Sequence, residues 1–128
     1  MARVLLVDDS AFVLTVTTQQ LTAAGHQVVA LPNGDELGPN LVSFMPEVVI
    51  LDYFMPRFNG RDLYNMIRSD ARGQGMIVIF MSGRPVSELR PLFQAADPRL
   101  FFLQKPVDPP TLQAFVNRAL ATSQPPPA

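Results

Sequence analysis

Val48-Val49-Ile50-Leu51-Asp52 sets four consecutive apolar residues, three of them β-branched, directly before a carboxylate. A run this short, rich in β-branched side chains and closed by a polar group, reads as a strand buried on both faces inside a parallel sheet. The same pattern stands at Val4-Leu5-Leu6-Val7 before Asp8-Asp9. Similar runs recur at 27–31, 76–81 and 100–103, each bounded by polar residues, Gly or Pro. Five strands are therefore expected.

Between them the apolar spacing changes. In 10–24, Leu14, Thr17, Leu21 and Ala24 repeat at helical intervals, with Ser10 as N-cap and Gly25 as stop. Segment 60–69 carries Leu63, Met66 and Ile67 on one stripe. Segment 111–120 carries Leu112, Phe115, Val116, Ala119 and Leu120 on another, with Asp108 before Pro109-Pro110 as the start signal. Segments 35–44 and 86–96 are expected to be short or irregular helices, because Gly38-Pro39 interrupts the first and Pro91 removes a backbone donor from the second. Strands alternating with helices require crossover connections. The fold class is therefore α/β, a doubly wound parallel sheet with helices on both faces, whose ligands bind beyond the carboxyl ends of the strands. The last stretch, Ser123-Gln-Pro-Pro-Pro-Ala128, is expected to be a disordered or extended tail, a natural end or the stump of a linker.

The bulk numbers fit one domain. The chain has 128 residues, 48% of them hydrophobic, enough for one core. Ten basic against eleven acidic residues give a net charge of -1, which argues against the broad positive face that nucleic-acid binding needs. The absence of cysteine excludes disulfides and thiolate metal sites and is compatible with the cytoplasm. The N-terminal apolar run is too short for a signal sequence or membrane span, so a soluble cytoplasmic protein is expected.

The positions after the strands then hold Asp8-Asp9, Asp52, Ser82 and Lys105, and the expected topology gathers them at one edge of the sheet. Crowded carboxylates raise one another's pKa values and call for a compensating cation; hard oxygen donors select Mg²⁺. Three aspartates at -3 are balanced by Mg²⁺ at +2 and the Lys105 ammonium at +1. Asp52 follows the most central run and is the best candidate for a nucleophilic carboxylate that forms an aspartyl phosphate. Asp8 and Asp9 would hold the metal, while Lys105 and the Ser82 hydroxyl would stabilise phosphoryl oxygens.

These residues, within Val-Leu-Leu-Val-Asp8-Asp9-Ser, Val-Ile-Leu-Asp52-Tyr-Phe-Met-Pro56, Asn-Gly60, Met-Ser82-Gly83 and Leu-Gln-Lys105-Pro106, make the sequence resemble the response-regulator receiver family from Arg3 to about Thr122. The resemblance implies a receiver domain over 1–122 with a flavodoxin-like fold of strand order 2-1-3-4-5 and five helices. It also implies phosphotransfer to Asp52 from a sensor histidine kinase or phosphotransfer protein. Mg²⁺ would be bound by Asp9, Asp52 and the backbone carbonyl of Phe54, with Asp8 helping through water, and Lys105-Pro106 would be cis. Ser82 and Phe102 would move together on phosphorylation, and a downstream protein would read the face made by the fourth helix, fifth strand and fifth helix. The chain would catalyse only its own phosphorylation and dephosphorylation. It departs from the common pattern in having Phe102 where Tyr is usual, and in carrying bulky Phe54 and cationic Arg84 beside the phosphoryl position. Those two flanking residues lead us to expect slow self-dephosphorylation.

Plainer interpretations compete at single positions. One Asp after a strand is more often a cap or solvated turn than a functional group, and it is the set of strand-end residues together that outweighs this. His26 is expected to be a surface turn residue without a role. Arg57, Arg61, Arg68, Arg72, Arg84 and Arg90 are expected to be scattered surface charges, Arg84 alone close to the pocket. Two other functions were weighed. A Mg²⁺-dependent aspartyl-phosphate phosphohydrolase would want Asp-x-Asp after its nucleophile strand, and an unphosphorylated scaffold would have no use for the intact pocket. A dinucleotide site lacks its Gly-x-Gly-x-x-Gly. The receiver could also be cut from a larger regulator or hybrid kinase.

Overall fold

In the computed structural model, which describes residues 2–93 and 97–123, five parallel strands form one sheet in the order β2-β1-β3-β4-β5. The strands are β1 (Arg3–Val7), β2 (Gln27–Leu31), β3 (Val48–Asp52), β4 (Ile77–Ser82) and β5 (Leu100–Gln104). Between and after them come α1 (Ala11–Ala23), α2 (Leu37–Ser43), α3 (Gly60–Ser69), α4 (Val86–Leu89) and α5 (Pro109–Ser123). Helix α5 thus runs through Ser123; the rest of the expected tail, 124–128, lies outside the described residues.

Alternate side chains of each strand serve opposite faces, the two-residue period of a pleated strand. Leu5, Val7, Val49, Leu51, Val78 and Phe80 pack with Leu37, Leu41, Leu63, Ile67 and Leu89 of α2, α3 and α4. Val4, Leu6, Val48, Ile50, Ile77 and Ile79 pack with Leu21, Leu112 and Val116 of α1 and α5. Burial on both sides explains why the central runs are continuously apolar rather than alternating.

The helix ends follow local chemistry. Ser10 Oγ accepts from Val13 N at 3.3 Å, and Gly25, at φ +95°, takes the left-handed turn that stops α1. Asn59 and Asp62 form a reciprocal capping box at the start of α3. Pro39 sits in the first turn of α2, where an N–H would have no helical acceptor, so the helix survives it but stays short. Pro91 confines α4 to four residues followed by a 3₁₀ turn at Arg90–Leu92. The remainder of the expected 86–96 segment, 94–96, lies outside the described residues.

Three expectations are corrected. Met66, read as part of the buried stripe of α3, is 37% exposed, because Leu63, Tyr64 and Ile67 are the residues of that helix turned to the sheet. Arg68 is not a scattered surface charge. Its guanidinium pairs with Asp97 at 2.9 Å and donates to the backbone oxygens of Gly73, Met76 and Arg99, stapling the lower ends of β4 and β5 to α3. Burial opposes ionisation of Asp97, but hydrogen bonds from Tyr64, Arg99 N and Arg68 hold its carboxyl below the usual range.

His26 is the third correction. It is only 6% exposed, and its Nδ1 accepts the backbone N–H of Ala2 at 3.0 Å. Accepting at Nδ1 requires the neutral ring, and burial lowers the pKa below its ordinary 6.5. The unfolded chain therefore binds the proton more readily than the folded one, so this contribution is intact above the unfolded pKa and is lost as pH falls below it. We expect the urea midpoint of wild type to fall between about pH 7.5 and 5.5 more steeply than that of His26→Gln, in which the side-chain oxygen keeps accepting without titrating. Parallel slopes would show that His26 does not carry the acid sensitivity.

Candidate functional site

The carboxyl ends of β1, β3 and β4 and the residue after β5 meet at one edge of the sheet, which brings Asp8, Asp9, Asp52, Ser82 and Lys105 together as their positions in the sequence led us to expect. One carboxylate oxygen from each of Asp8, Asp9 and Asp52 lies within 4.8 Å of the others. Asp8 and Asp52 are buried, at 1% and 8% exposure, while Asp9 faces solvent.

Each carboxylate is held differently. Asp8 Oδ1 accepts from Ser10 N at 2.9 Å, and its Oδ2 takes the Lys105 ammonium at 2.6 Å. The same ammonium is 3.8 Å from Asp52 Oδ2, and Phe54 N donates to Asp52 Oδ1 at a long 3.4 Å. Lysine therefore serves Asp8 first and leaves Asp52 the least compensated of the buried pair. Burial is the largest influence on Asp52, raising its pKa; Lys105 lowers it, Asp8 raises it, the Phe54 amide lowers it and Asp9 raises it. The outcome is a carboxyl pushed up to about 6.

The pocket rim is built from the residues after each strand. Lys105 N donates to Ser82 O at 2.7 Å, which fixes the start of the loop after β5, and the Lys105-Pro106 peptide is cis, as the resemblance implies. Ser82 is 1% exposed, and its Oγ accepts from Arg84 N at 3.1 Å, leaving the hydroxyl proton free to donate into the pocket. Two residues beyond Ser82, the Arg84 guanidinium sits 4.8 Å from the centroid of the Phe54 ring and 3.8 Å from the exposed Glu88 carboxylate. Arg84 thus departs from the expectation of a scattered charge, having a ring partner at the pocket mouth.

The donor set suits a small hard cation. Its side-chain donors are carboxylate oxygens, and three carboxylates against one ammonium leave an excess of two negative charges when all are ionised.

Phe102 stacks on Phe80 with ring centroids 5.9 Å apart and meets Phe93 at 5.6 Å. Phe93 in turn touches Tyr53, the residue after Asp52, at 6.2 Å. This ring chain, which joins the acidic pocket to β5, escaped sequence reasoning: Phe93 follows an irregular turn, where periodicity says nothing about which way a side chain points.

The response regulator receiver domain model matches residues 4–117, nearly the whole described chain. The chain belongs to that family. Protein PilH of Pseudomonas aeruginosa is 32% identical to this receiver domain over 121 residues, covering 94% of this chain and 99% of PilH. Response regulator Rre1 of Synechocystis is 33% identical over 123 residues, but the match covers 52% of that protein, and a match to the transcriptional regulator NtrC of Azospirillum brasilense covers 26% of it. The chain thus spans nearly all of PilH, about half of Rre1 and about a quarter of NtrC. Among solved structures, chemotaxis protein CheY4 of Vibrio cholerae superposes with a TM-score of 0.86 at 25% identity, covering 93% of this chain and 98% of that one. The expected fold, α/β with strand order 2-1-3-4-5, is the one observed. The protein is a signalling receiver of the two-component type rather than a classical enzyme. Among the described residues no helix is long and apolar enough to cross a membrane.

A raised carboxyl pKa has a stability consequence. Because the folded pKa of Asp52 exceeds the unfolded one, the folded state binds the extra proton and loses stability as pH rises through the interval between them. In metal-free protein near pH 8, Asp52→Asn is expected to raise stability by up to about 3 kcal/mol, the gain shrinking toward zero near pH 4. Chemical unfolding of both proteins across that range checks it, and a mutant that is less stable at high pH contradicts it.

Proposed function

We propose that Asp52 is the phosphoacceptor of this receiver, taking the phosphoryl group from a phosphohistidine on a sensor histidine kinase or phosphotransfer protein in the cytoplasm, within a domain spanning residues 1–122. What carries the proposal is the pairing of a buried, under-compensated carboxylate with a lysine ammonium 3.8 Å from it. An Asp52 Oδ attacks phosphorus as the phosphorus–nitrogen bond to histidine breaks, and the imidazole leaves with the electron pair of that bond.

Asp8, Asp9 and Asp52, with the backbone carbonyl of Phe54, would hold the Mg²⁺. When bound, the ion supplies charge neutralisation for the phosphoryl oxygens. Lys105 stabilises those oxygens as a point charge, moving from Asp8 toward the negative charge that the transferred phosphoryl group brings, and the Ser82 hydroxyl donates to one of them. Drawing Ser82 toward the phosphoryl group vacates space beneath the β4 end. Phe102, already stacked on Phe80 of the same strand, is the ring that responds, and a packed interior turns that response into one of two discrete arrangements. Output then passes to a downstream protein through α4, β5 and α5.

Incubation with acetyl phosphate and Mg²⁺, followed by intact-mass measurement, is expected to add one phosphoryl group to wild type and none to Asp52→Asn. Labelling retained by the mutant places the acceptor elsewhere, and repeated turnover of a phosphomonoester without labelling would indicate a phosphohydrolase instead.

The Arg84–Phe54 contact screens the carboxylate from water approaching in line with the bond to be hydrolysed. Phe54→Asn, which removes the ring and offers a polar group that can hold a water, is expected to shorten the phospho-Asp52 lifetime about tenfold, less than the roughly 10²–10⁴-fold of a fully positioned acid or base. Following the decay by mass or phosphorus NMR decides it; an unchanged rate removes Phe54 from control of the lifetime.

A further inference from the structure

We propose that the cleft between α1 and the start of α5 is a binding site for a small neutral molecule, one aromatic ring carrying one hydroxyl, and that its occupant restrains Lys105. The restraint rests on the reading of Lys105 as the cation that serves Asp52; the binding site does not.

The cleft is separate from the acidic pocket, since none of the three aspartates lines it. Val13 and Val16 of α1, Met81 of β4, Val107 from the loop after β5 and Leu112 of α5 form its walls. Met81 and Leu112 are almost wholly buried, so the base of the cleft is apolar.

One polar side chain interrupts that lining in a way the fold does not use. Thr17 is only 5% exposed and faces the cleft, yet its hydroxyl makes no hydrogen bond among the described residues. Buried hydroxyls ordinarily find a partner, and Ser69 does so by donating to Asn65 O of its own helix at 2.6 Å. Nor is the Thr17 oxygen sealed in by protein; the fully enclosed hydroxyl without a partner is the neighbouring Thr18. Thr17 therefore offers an unused donor and acceptor to whatever enters.

Size and charge narrow the occupant. The space is about 180 Å³, below the roughly 300–1,000 Å³ of sites for drug-sized ligands. An apolar cavity of about 150 Å³ holds one benzene, which leaves room here for one small substituent. Phe12, 76% exposed at the mouth, gives an incoming ring an aromatic partner and gains cover from it. An ionised group is disfavoured by the apolar walls. The one cation lining them, Lys105, has its ammonium on Asp8 at 2.6 Å and so offers the occupant its methylene stem. A ring packed on that stem holds the ammonium at Asp8 and opposes its movement toward a phosphoryl group on Asp52, whose Oδ2 is 3.8 Å away. The cleft is thus a place where a small molecule slows phosphorylation without touching the carboxylates.

The test uses the full chain, with phenol and toluene as probes of similar size, read by proton–nitrogen NMR titration. Phenol is expected to saturate with a Kd below about 1 mM, moving the amides of Val13, Thr17, Val107 and Leu112 most. Val16→Phe, which fills the cleft, is expected to weaken both probes at least about tenfold with unchanged circular dichroism. Thr17→Val keeps the shape and removes the hydroxyl; it is expected to weaken phenol about fivefold and leave toluene unchanged, and it carries the test if Val16→Phe disturbs the helix. Saturating phenol is expected to slow acetyl-phosphate labelling of wild type at least about twofold and to leave the rate of Val16→Phe unaltered. Scattered shifts that do not saturate, tighter binding of benzoate than of phenol, or equal loss of both probes in Thr17→Val overturns the site. So does sedimentation showing a dimer that Val16→Phe dissociates, since a second copy of the chain then fills the cleft. Phenol that binds but leaves the labelling rate unchanged overturns the restraint on Lys105. Failed labelling without phenol, with phenol binding intact, strikes the acceptor assignment and the restraint together and leaves the binding site standing.

Discussion

Crowding of negative charge at the end of the sheet is the constraint around which this molecule is arranged. Asp8 and Asp52 are both buried, Asp9 stands beside them, and one ammonium serves the buried pair, closest to Asp8. Such an arrangement is costly in an empty pocket and becomes favourable once positive charge or a shared proton enters it. The site is thus poised by its own electrostatics to accept a cation and, with it, a phosphoryl group.

The rest of the fold holds that unfavourable arrangement in place. Three adjacent strands in parallel register deliver Asp8, Asp52 and Ser82 to the same edge, because each strand buries both faces and cannot slip by one residue without turning its core side chains to the wrong layer. Lys105 arrives from the loop after β5, held by its own amide on Ser82 O. At the opposite end, Arg68 and Asp97 staple α3 to the start of β5, and His26 pins the first residues of the chain. Burial is deepest in the central strands β3 and β4, while β5 is only partly buried.

Much of this was legible in the residues alone. The short, continuous, partly β-branched apolar runs suit strands covered on both faces better than helices, and parallel topology then sends everything that follows a strand to one edge; Asp8, Asp52, Ser82 and Lys105 were identifiable for that reason. Gly38-Pro39 and Pro91 announced the two weak helices because glycine and proline act on the backbone locally. What stayed hidden depends on partners distant in sequence. Nothing around His26 signals that Ala2 will present an N–H to it, and nothing in the run of arginines separates Arg68, which finds three carbonyls and a carboxylate, from its solvated neighbours. Phe93 and the Arg84–Phe54 contact belong to the same class, side chains aimed by tertiary structure from segments with no period of their own.

Burial of these carboxylates together, more than any single residue, gives the pocket its chemistry. This is tested most directly by carbon-13 NMR titration of the Asp52 carboxyl in the absence and presence of Mg²⁺. The account predicts a midpoint of about 6 without the ion and a fall below the ordinary carboxylate range when it is added. A midpoint near the ordinary value of 3.8 without the ion, unmoved by Mg²⁺, would contradict it.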